Sequence, residues 1–202
     1  MTTYKLTYFN LTGLGEPIRY LLSYGGIKFE DHRVSFEEWP NIKPKMPMGQ
    51  MPVLEIDGKQ YNQSKAILRF LGKKFKLYGS DDYEALEIDA AADNIDDLRI
   101  AISSYYWEED AAQKEKLKDT AMKKRAFLLE KFETQLKKNG GYFVKGKLSW
   151  VDILYAAYCD YLSNALGFDV NKDYPELKKL VDKIRATPNI KAYIEKRPKT
   201  HL

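Results

Sequence analysis

Two stretches near the start of the chain carry groups able to meet a small ligand. One is the Tyr8 hydroxyl at the end of Lys5–Phe9. The other is the run Gln50-Met51-Pro52-Val53-Leu54-Glu55-Ile56-Asp57-Gly58-Lys59, with Gln63-Ser64 just beyond it. Pro52 has no N–H to give where an apolar strand begins, and X-Pro bonds are the common cis peptides. The backbone N–H and C=O before it are therefore left to pair with something outside the fold, such as an extended peptide lying beside Met51. Ser64 is a good N-cap for the helical pattern Ala66-Ile67-Leu68-Phe70-Leu71. A helix N-terminus is in turn a natural carboxylate site, because its N–H groups and dipole favour negative charge. Tyr8 falls at the C-terminal end of a strand, where α/β sheets place their ligands. Its structural alternative is a core aromatic: the chain has 15 tyrosines, and Tyr4 and Tyr8 share a strand face with Leu6.

The elements that must position these groups alternate strand and helix over residues 1–78. Lys5–Phe9 is a first strand. Pro17 opens a helix with Ile18, Leu21 and Leu22 on its apolar side and Gly25-Gly26 as its stop. Phe29–Val34 is a second strand, which makes a βαβ unit. Phe36–Met48 holds Pro40, Pro44 and Pro47 and is irregular, with at most a short helix. Asp57-Gly58 predicts a type I′ hairpin, whose two central residues need positive φ. A helix over Ser64–Phe75 then completes a βαβαββα, thioredoxin-like order. Leu77–Tyr83 reads as a linker. Beyond it helical periodicity takes over, with helices expected at Tyr83–Glu109, Glu115–Lys138, Ser149–Ala165, Pro175–Ala186 and Pro188–Lys196. Ser149 and Asp152 have the spacing of a capping box, and Leu148 and Ile153 that of a hydrophobic staple. Asp152 is therefore read as structural.

Taken together, these residues resemble the glutathione-binding core of cytosolic glutathione transferases, in particular the sigma class of the invertebrate type. The likeness is carried by Tyr4–Asn10, Gly15–Tyr20, Trp39-Pro40 with Lys43, the run Gln50–Lys59, Gln63-Ser64 and Ser149–Asp152, and it spans essentially the whole chain. It implies a thioredoxin-like domain over 1–78 that binds glutathione and an all-helical domain over 83–202 that contributes the electrophile pocket. It further implies that the Tyr8 hydroxyl hydrogen-bonds the glutathione sulfur and stabilises its thiolate. Trp39 and Lys43 would hold the glycyl end, Gly49, Gln50 and the Met51 backbone the cysteinyl part, and Gln63 and Ser64 the γ-glutamyl end. Asp97 matches an acidic residue sent by the neighbouring subunit toward the γ-glutamyl amine, so a homodimer is implied. Phe9, Leu14 and Tyr106, with Tyr105 and Cys159, are candidates for the second-substrate pocket, although each also reads as core. Trp39 likewise reads as an anchor for the irregular segment, and Ser64 as a plain N-cap.

The activity implied is addition of the glutathione thiolate to hydrophobic electrophiles such as lipid-peroxidation aldehydes or aryl halides. Reduced glutathione is then a co-substrate, with no permanently bound cofactor and no metal. A free thiol has a pKa of ~8.5, and lowering it by about two units needs roughly 2.7 kcal/mol of preference for the anion. One hydrogen bond to a charged group contributes about 1.5–3 kcal/mol and a helix N-terminus ~0.3–1 kcal/mol, so a single hydroxyl beside a helix start suffices. Leu14 departs from the pattern: many sigma-class relatives, including vertebrate prostaglandin D synthases, have arginine there. That disfavours the alternative of a glutathione-dependent prostaglandin isomerase. A crystallin-like structural or binding protein is a further alternative, disfavoured because Tyr8, Trp39, Lys43, Gln63 and Ser64 are all kept.

Composition sets bounds on other classes. Hydrophobic content of 44% and charged content of 31% suit a soluble globular protein. No run approaches the ~20 apolar residues of a membrane span, and Met1–Lys5 lacks the apolar core of a signal peptide. The net charge of +4 is concentrated in residues 1–78, with 12 Lys and Arg against 7 Asp and Glu. This suits a small anionic ligand; there is no basic run with interleaved aromatics to suggest nucleic acid. The single cysteine, Cys159, can form no internal disulfide, which points to the reducing cytoplasm. With no Cys-x-x-Cys, a disulfide reductase is excluded.

Overall fold

In the computed structural model, which describes residues 2–202, strand β1 (Tyr4–Phe9) lies inside a four-stranded sheet of order β2-β1-β3-β4. β2 (Glu30–Val34) runs parallel to it, with Tyr8 opposite Arg33. β3 (Val53–Ile56) pairs antiparallel on the other side, with Leu6 opposite Leu54, and β4 (Lys59–Asn62) completes the hairpin. Asp57 and Gly58 adopt φ of 48° and 83°, the positive pair that a type I′ turn requires. Helix α1 (Glu16–Tyr24) links β1 to β2, a short α2 (Trp39–Ile42) begins the proline-rich segment, and α3 (Ser64–Lys74) follows β4. This is the thioredoxin-like arrangement. Its core is made where α1 and α3 lay Ile18, Leu21, Leu22, Leu68 and Leu71 over Leu6 and Leu54, which share one face of the sheet, all of them buried. The packing follows from helical spacing on one side and strand spacing on the other.

The following helices are α4 (Asp82–Trp107), α5 (Ala111–Lys138), α6 (Trp150–Leu166), α7 (Pro175–Arg185) and α8 (Pro188–Lys196). α5 begins four residues before the expected Glu115, because Asp110 accepts from the Gln113 N–H at 2.7 Å and caps the helix there. The backbone divides into two compact units, one of residues up to Leu77 together with Arg185–Leu202, the other of Tyr78–Ile184. The first break falls at the expected linker. The last segment, read from sequence as part of an all-helical domain over 83–202, instead groups with the sheet: Ile190 of α8 is fully buried and Tyr193 packs edge-on to Tyr20 with ring centres 6.0 Å apart.

Within the helical unit, α6 is buried along most of its length. Asp152 at its start accepts from the Ser149 N–H at 2.7 Å, the Ser149 hydroxyl at 2.8 Å and the Phe143 N–H at 2.9 Å. It therefore holds both the helix entry and the preceding loop. Burial pushes its carboxyl up to about 6 against the pull of those three donors. Among the described residues, no helix is long and apolar enough to cross a membrane.

Candidate active site

A cleft of about 390 Å³ opens in the sheet-containing unit, within the usual size range of small-molecule sites. The prolines of Phe36–Met48 keep that segment out of long helices, so Trp39 and Lys43 come from a short helical turn and its end. Gly49, Gln50 and Met51 arrive from the loop before β3, and Gln63 and Ser64 from the start of α3; all of these residues line the same cleft. The Met51–Pro52 bond is cis. Met51 stands just before the paired stretch of β3, so the strand's ladder ends where the cleft begins. Phe9 and Leu14 also line the cleft.

Ser64 is not the N-cap that its sequence pattern predicts. The helix already includes Ser64, and Gln63 takes the cap position with φ 69° and ψ 99° and no side-chain cap bond. A positive φ at a glutamine is a sparsely populated conformation, and such outliers gather at ligand sites. Its effect here is to turn the chain sharply out of β4, so that Ser64 enters the helix as its first residue, facing the cleft.

Tyr8 is 7% exposed and is not itself one of the residues lining this cleft; its chain neighbour Phe9 and its hydrogen-bond partner Leu14 are. Its hydroxyl accepts from the Leu14 N–H at 3.1 Å. That bond directs the hydroxyl hydrogen away from Leu14, which itself forms part of the cleft wall. The Asn10–Gly15 loop can close this tightly because it carries glycines. A Cβ at Gly13, where φ is +39°, would sit 2.8 Å from Tyr8 Oη, and one at Gly15 would run into the Tyr8 ring. Tyr8 meets Phe9 edge-on at 5.8 Å, and Phe9 is stacked on Phe36 at 4.7 Å and edge-on to Trp39 at 5.4 Å.

The remaining sequence candidates lie in the helical unit. Asp97 is an exposed residue of α4 that pairs with Lys124 Nζ at 3.1 Å. Tyr106 is near the end of α4. Cys159 is buried in α6, its thiol donating to the Tyr155 carbonyl at 3.2 Å, and reads as core. Phe36, 55% exposed beside Phe9, was not among the sequence candidates. An aromatic in a proline-rich loop gives no local signal of which neighbour it will stack on.

Residues 4–73 match the family model described as glutathione S-transferase, N-terminal domain, and residues 96–197 match glutathione S-transferase, C-terminal domain. The chain belongs to the glutathione S-transferase family. A glutathione S-transferase of Anopheles gambiae is 44% identical over 203 residues, covering 100% of each chain. Among solved structures, a prostaglandin synthase D of Nilaparvata lugens is 48% identical with a TM-score of 0.94, over 98% of this chain and 100% of that one. A glutathione S-transferase of Necator americanus described as monomeric is 34% identical with a TM-score of 0.86, over 99% and 100%. This glutathione S-transferase is thus an enzyme of a family that uses glutathione as co-substrate and binds electrophilic second substrates.

Proposed function

We propose that the cleft holds reduced glutathione, and that Tyr8 Oη donates a hydrogen bond to its sulfur while accepting from Leu14. The observation that carries this reading is the convergence of Trp39, Lys43, Gly49, Gln50, Met51, Gln63 and Ser64 on one cleft whose wall residue Leu14 orients the Tyr8 hydroxyl. Lys43 would pair with the glycyl carboxylate beside Trp39. The Met51 backbone would pair with the cysteinyl part, and the first turn of α3, with Gln63 and Ser64, would take the γ-glutamyl carboxylate. The thiol releases its proton to water and the thiolate attacks carbon. With an aryl halide a C–S bond forms and halide leaves; with an unsaturated aldehyde the β-carbon is attacked and the resulting enolate takes a proton from water. Phe9 and Leu14 would offer an apolar wall for that electrophile.

The reading extends to a cytoplasmic, detoxifying enzyme of the sigma class acting as a homodimer, in which Asp97 reaches the γ-glutamyl amine of the neighbouring subunit. Sedimentation at micromolar protein tests the dimer, since one structural neighbour is described as monomeric. A second reading, glutathione-dependent isomerisation of a prostaglandin endoperoxide, is favoured by the likeness to a prostaglandin synthase and opposed by Leu14. The deciding experiment is the pH dependence of conjugation to an aryl halide for the wild type and Tyr8→Phe, with endoperoxide turnover measured alongside. Tyr8→Phe should lose about 10–100-fold in rate near neutral pH with glutathione still bound, the loss of one hydrogen bond to a charged sulfur. An unchanged pH profile in Tyr8→Phe would remove Tyr8 from the mechanism.

A further inference from the structure

Behind the Tyr8 loop lies a buried charge cluster that the transfer chemistry does not use. Glu16 and Arg19, one turn apart at the start of α1, are both fully buried. Arg19 donates to Glu16 Oε2 at 3.0 Å and to Asp31 Oδ1 at 2.9 Å. It also donates to the Leu11 carbonyl at 2.8 Å, inside the loop, and its guanidinium carbon stands 5.8 Å from the centre of the Tyr8 ring. Asp31 takes a second arginine, Arg33, at 2.7 Å. Glu16 takes two donors from the last segment of the same unit, the Tyr193 hydroxyl at 3.2 Å and Arg197 Nη1. Arg33 donates to that Tyr193 hydroxyl at 3.3 Å. Further along, Leu202 is buried and its carbonyl accepts from the Thr12 N–H at 2.9 Å.

The segment Arg197–Leu202 therefore grips the Asn10–Gly15 loop twice, directly at Thr12 and through Glu16 and Arg19 at Leu11. Buried ion clusters are weak contributors to stability, since apolar replacements of similar volume often do as well. The hydrogen bonds of this cluster end on the loop that carries Leu14. Burial alone would lower the Arg19 pKa, but the Glu16 and Asp31 carboxylates outweigh it and hold the guanidinium charge beside the Tyr8 ring.

We propose that Arg197 and the segment reaching Leu202 are positioning residues for Tyr8: acting through Glu16, Arg19 and Thr12, they keep the Leu14 N–H on Tyr8 Oη and so set how strongly that hydroxyl stabilises the thiolate. The proposal rests on the assignment of Tyr8 above. Arg197→Gln is the first variant, because Glu16 keeps Arg19 and Tyr193 as partners and the fold survives. Arg197→Lys is the conservative variant, and a chain lacking residues 198–202 is the third. Two readouts are used. One is the ¹³Cζ resonance of Tyr8 in the ligand-free protein, identified by its loss in Tyr8→Phe. The other is the pH profile of aryl halide conjugation together with the glutathione KM.

Arg197→Gln and the shortened chain should each shift the Tyr8 resonance. They should also raise the apparent pKa of kcat by about half to one unit, a roughly 3–10-fold loss on the acid limb. The glutathione KM should stay within about twofold, since none of its contacts changes, and Arg197→Lys should recover most of the loss. A Tyr8 resonance and pH profile that stay at their wild-type positions while only the melting temperature falls would overturn the proposal. If Tyr8→Phe itself leaves the pH profile unchanged, the thiolate assignment fails. The Tyr8 resonance then still decides the proposal without any reference to activity.

Discussion

Asp152→Asn tests how a buried carboxylate organises the helical unit. Asp152 Oδ1 accepts from the Phe143 N–H, and Oδ2 accepts from both the N–H and the hydroxyl of Ser149. An amide offers one acceptor oxygen only. If that oxygen faces Phe143, the new NH₂ faces Ser149; the hydroxyl can turn and accept, but the Ser149 N–H is left without a partner. The reverse orientation leaves the Phe143 N–H alone. Either way one buried N–H is orphaned, at about 1–3 kcal/mol. For a chain of this size that is a fall in melting temperature of about 4–8 °C for the middle of the range at pH 7. Acid should widen the difference. Burial raises the Asp152 carboxyl from 3.8 to about 6, so between those values the native state binds a proton that the unfolded chain does not. Protonated Asp152 keeps all three partners, because Oδ2 retains a lone pair for the Ser149 N–H and the hydroxyl turns to accept; the relief of burial exceeds the weakening of these bonds. The wild type therefore gains about 2 kcal/mol from this group between pH 7 and pH 4.5, a gain that asparagine cannot make. Urea unfolding followed by circular dichroism at the two pH values measures both effects, and contributions from every other carboxylate cancel in the difference. Equal stabilities at pH 7 would refute the acceptor count, and parallel curves down to pH 4.5 would show that the three donors outweigh burial.

Gln63→Gly should leave the melting temperature unchanged or raise it by a few degrees, since glycine accepts φ 69° without the roughly 1–3 kcal/mol of strain, while the glutathione KM rises about tenfold from loss of the side chain. Calorimetry and steady-state kinetics separate the two. Glu84 is held down to about 2 by Lys147, the Ser80 N–H and Lys145, and so stabilises the fold above its ordinary range and ceases to as pH falls from about 4.5 to 2. Glu84→Gln should melt below the wild type at pH 7, with the gap closing near pH 2. Leu14→Arg keeps the backbone N–H on Tyr8 and adds a cation at the cleft wall, so it should lower the apparent pKa of the conjugation profile by up to about one unit. A rise would show the guanidinium directed away from the sulfur.

The local elements were legible in the sequence because each has a short-range cause. Asp57-Gly58 predicts its hairpin, Pro17 and Gly25 bound α1, Pro188 opens α8, and Ser149 with Asp152 marks the entry to α6, all of them decided within a few residues by φ preference or by a free N–H. The glutathione candidates Trp39, Lys43, Gly49, Gln50, Met51, Gln63 and Ser64 could be named from their motifs, and they share one cleft. Tertiary structure decided what depends on partners distant along the chain. Ser64 reads as a cap, but the turn out of β4 gives that place to Gln63 at positive φ. Helical periodicity groups α8 with the helices before it, whereas Ile190 is buried within the sheet-containing unit and Tyr193 packs edge-on to its Tyr20. Glu16 and Arg19 stand three residues apart, a spacing that says nothing of burial, yet both are buried, because their charges are met by Asp31, Tyr193 and Arg197, and a carboxylate or guanidinium leaves water only when such partners are already in place. No spacing within a helix records that a residue 181 positions away will supply one of them.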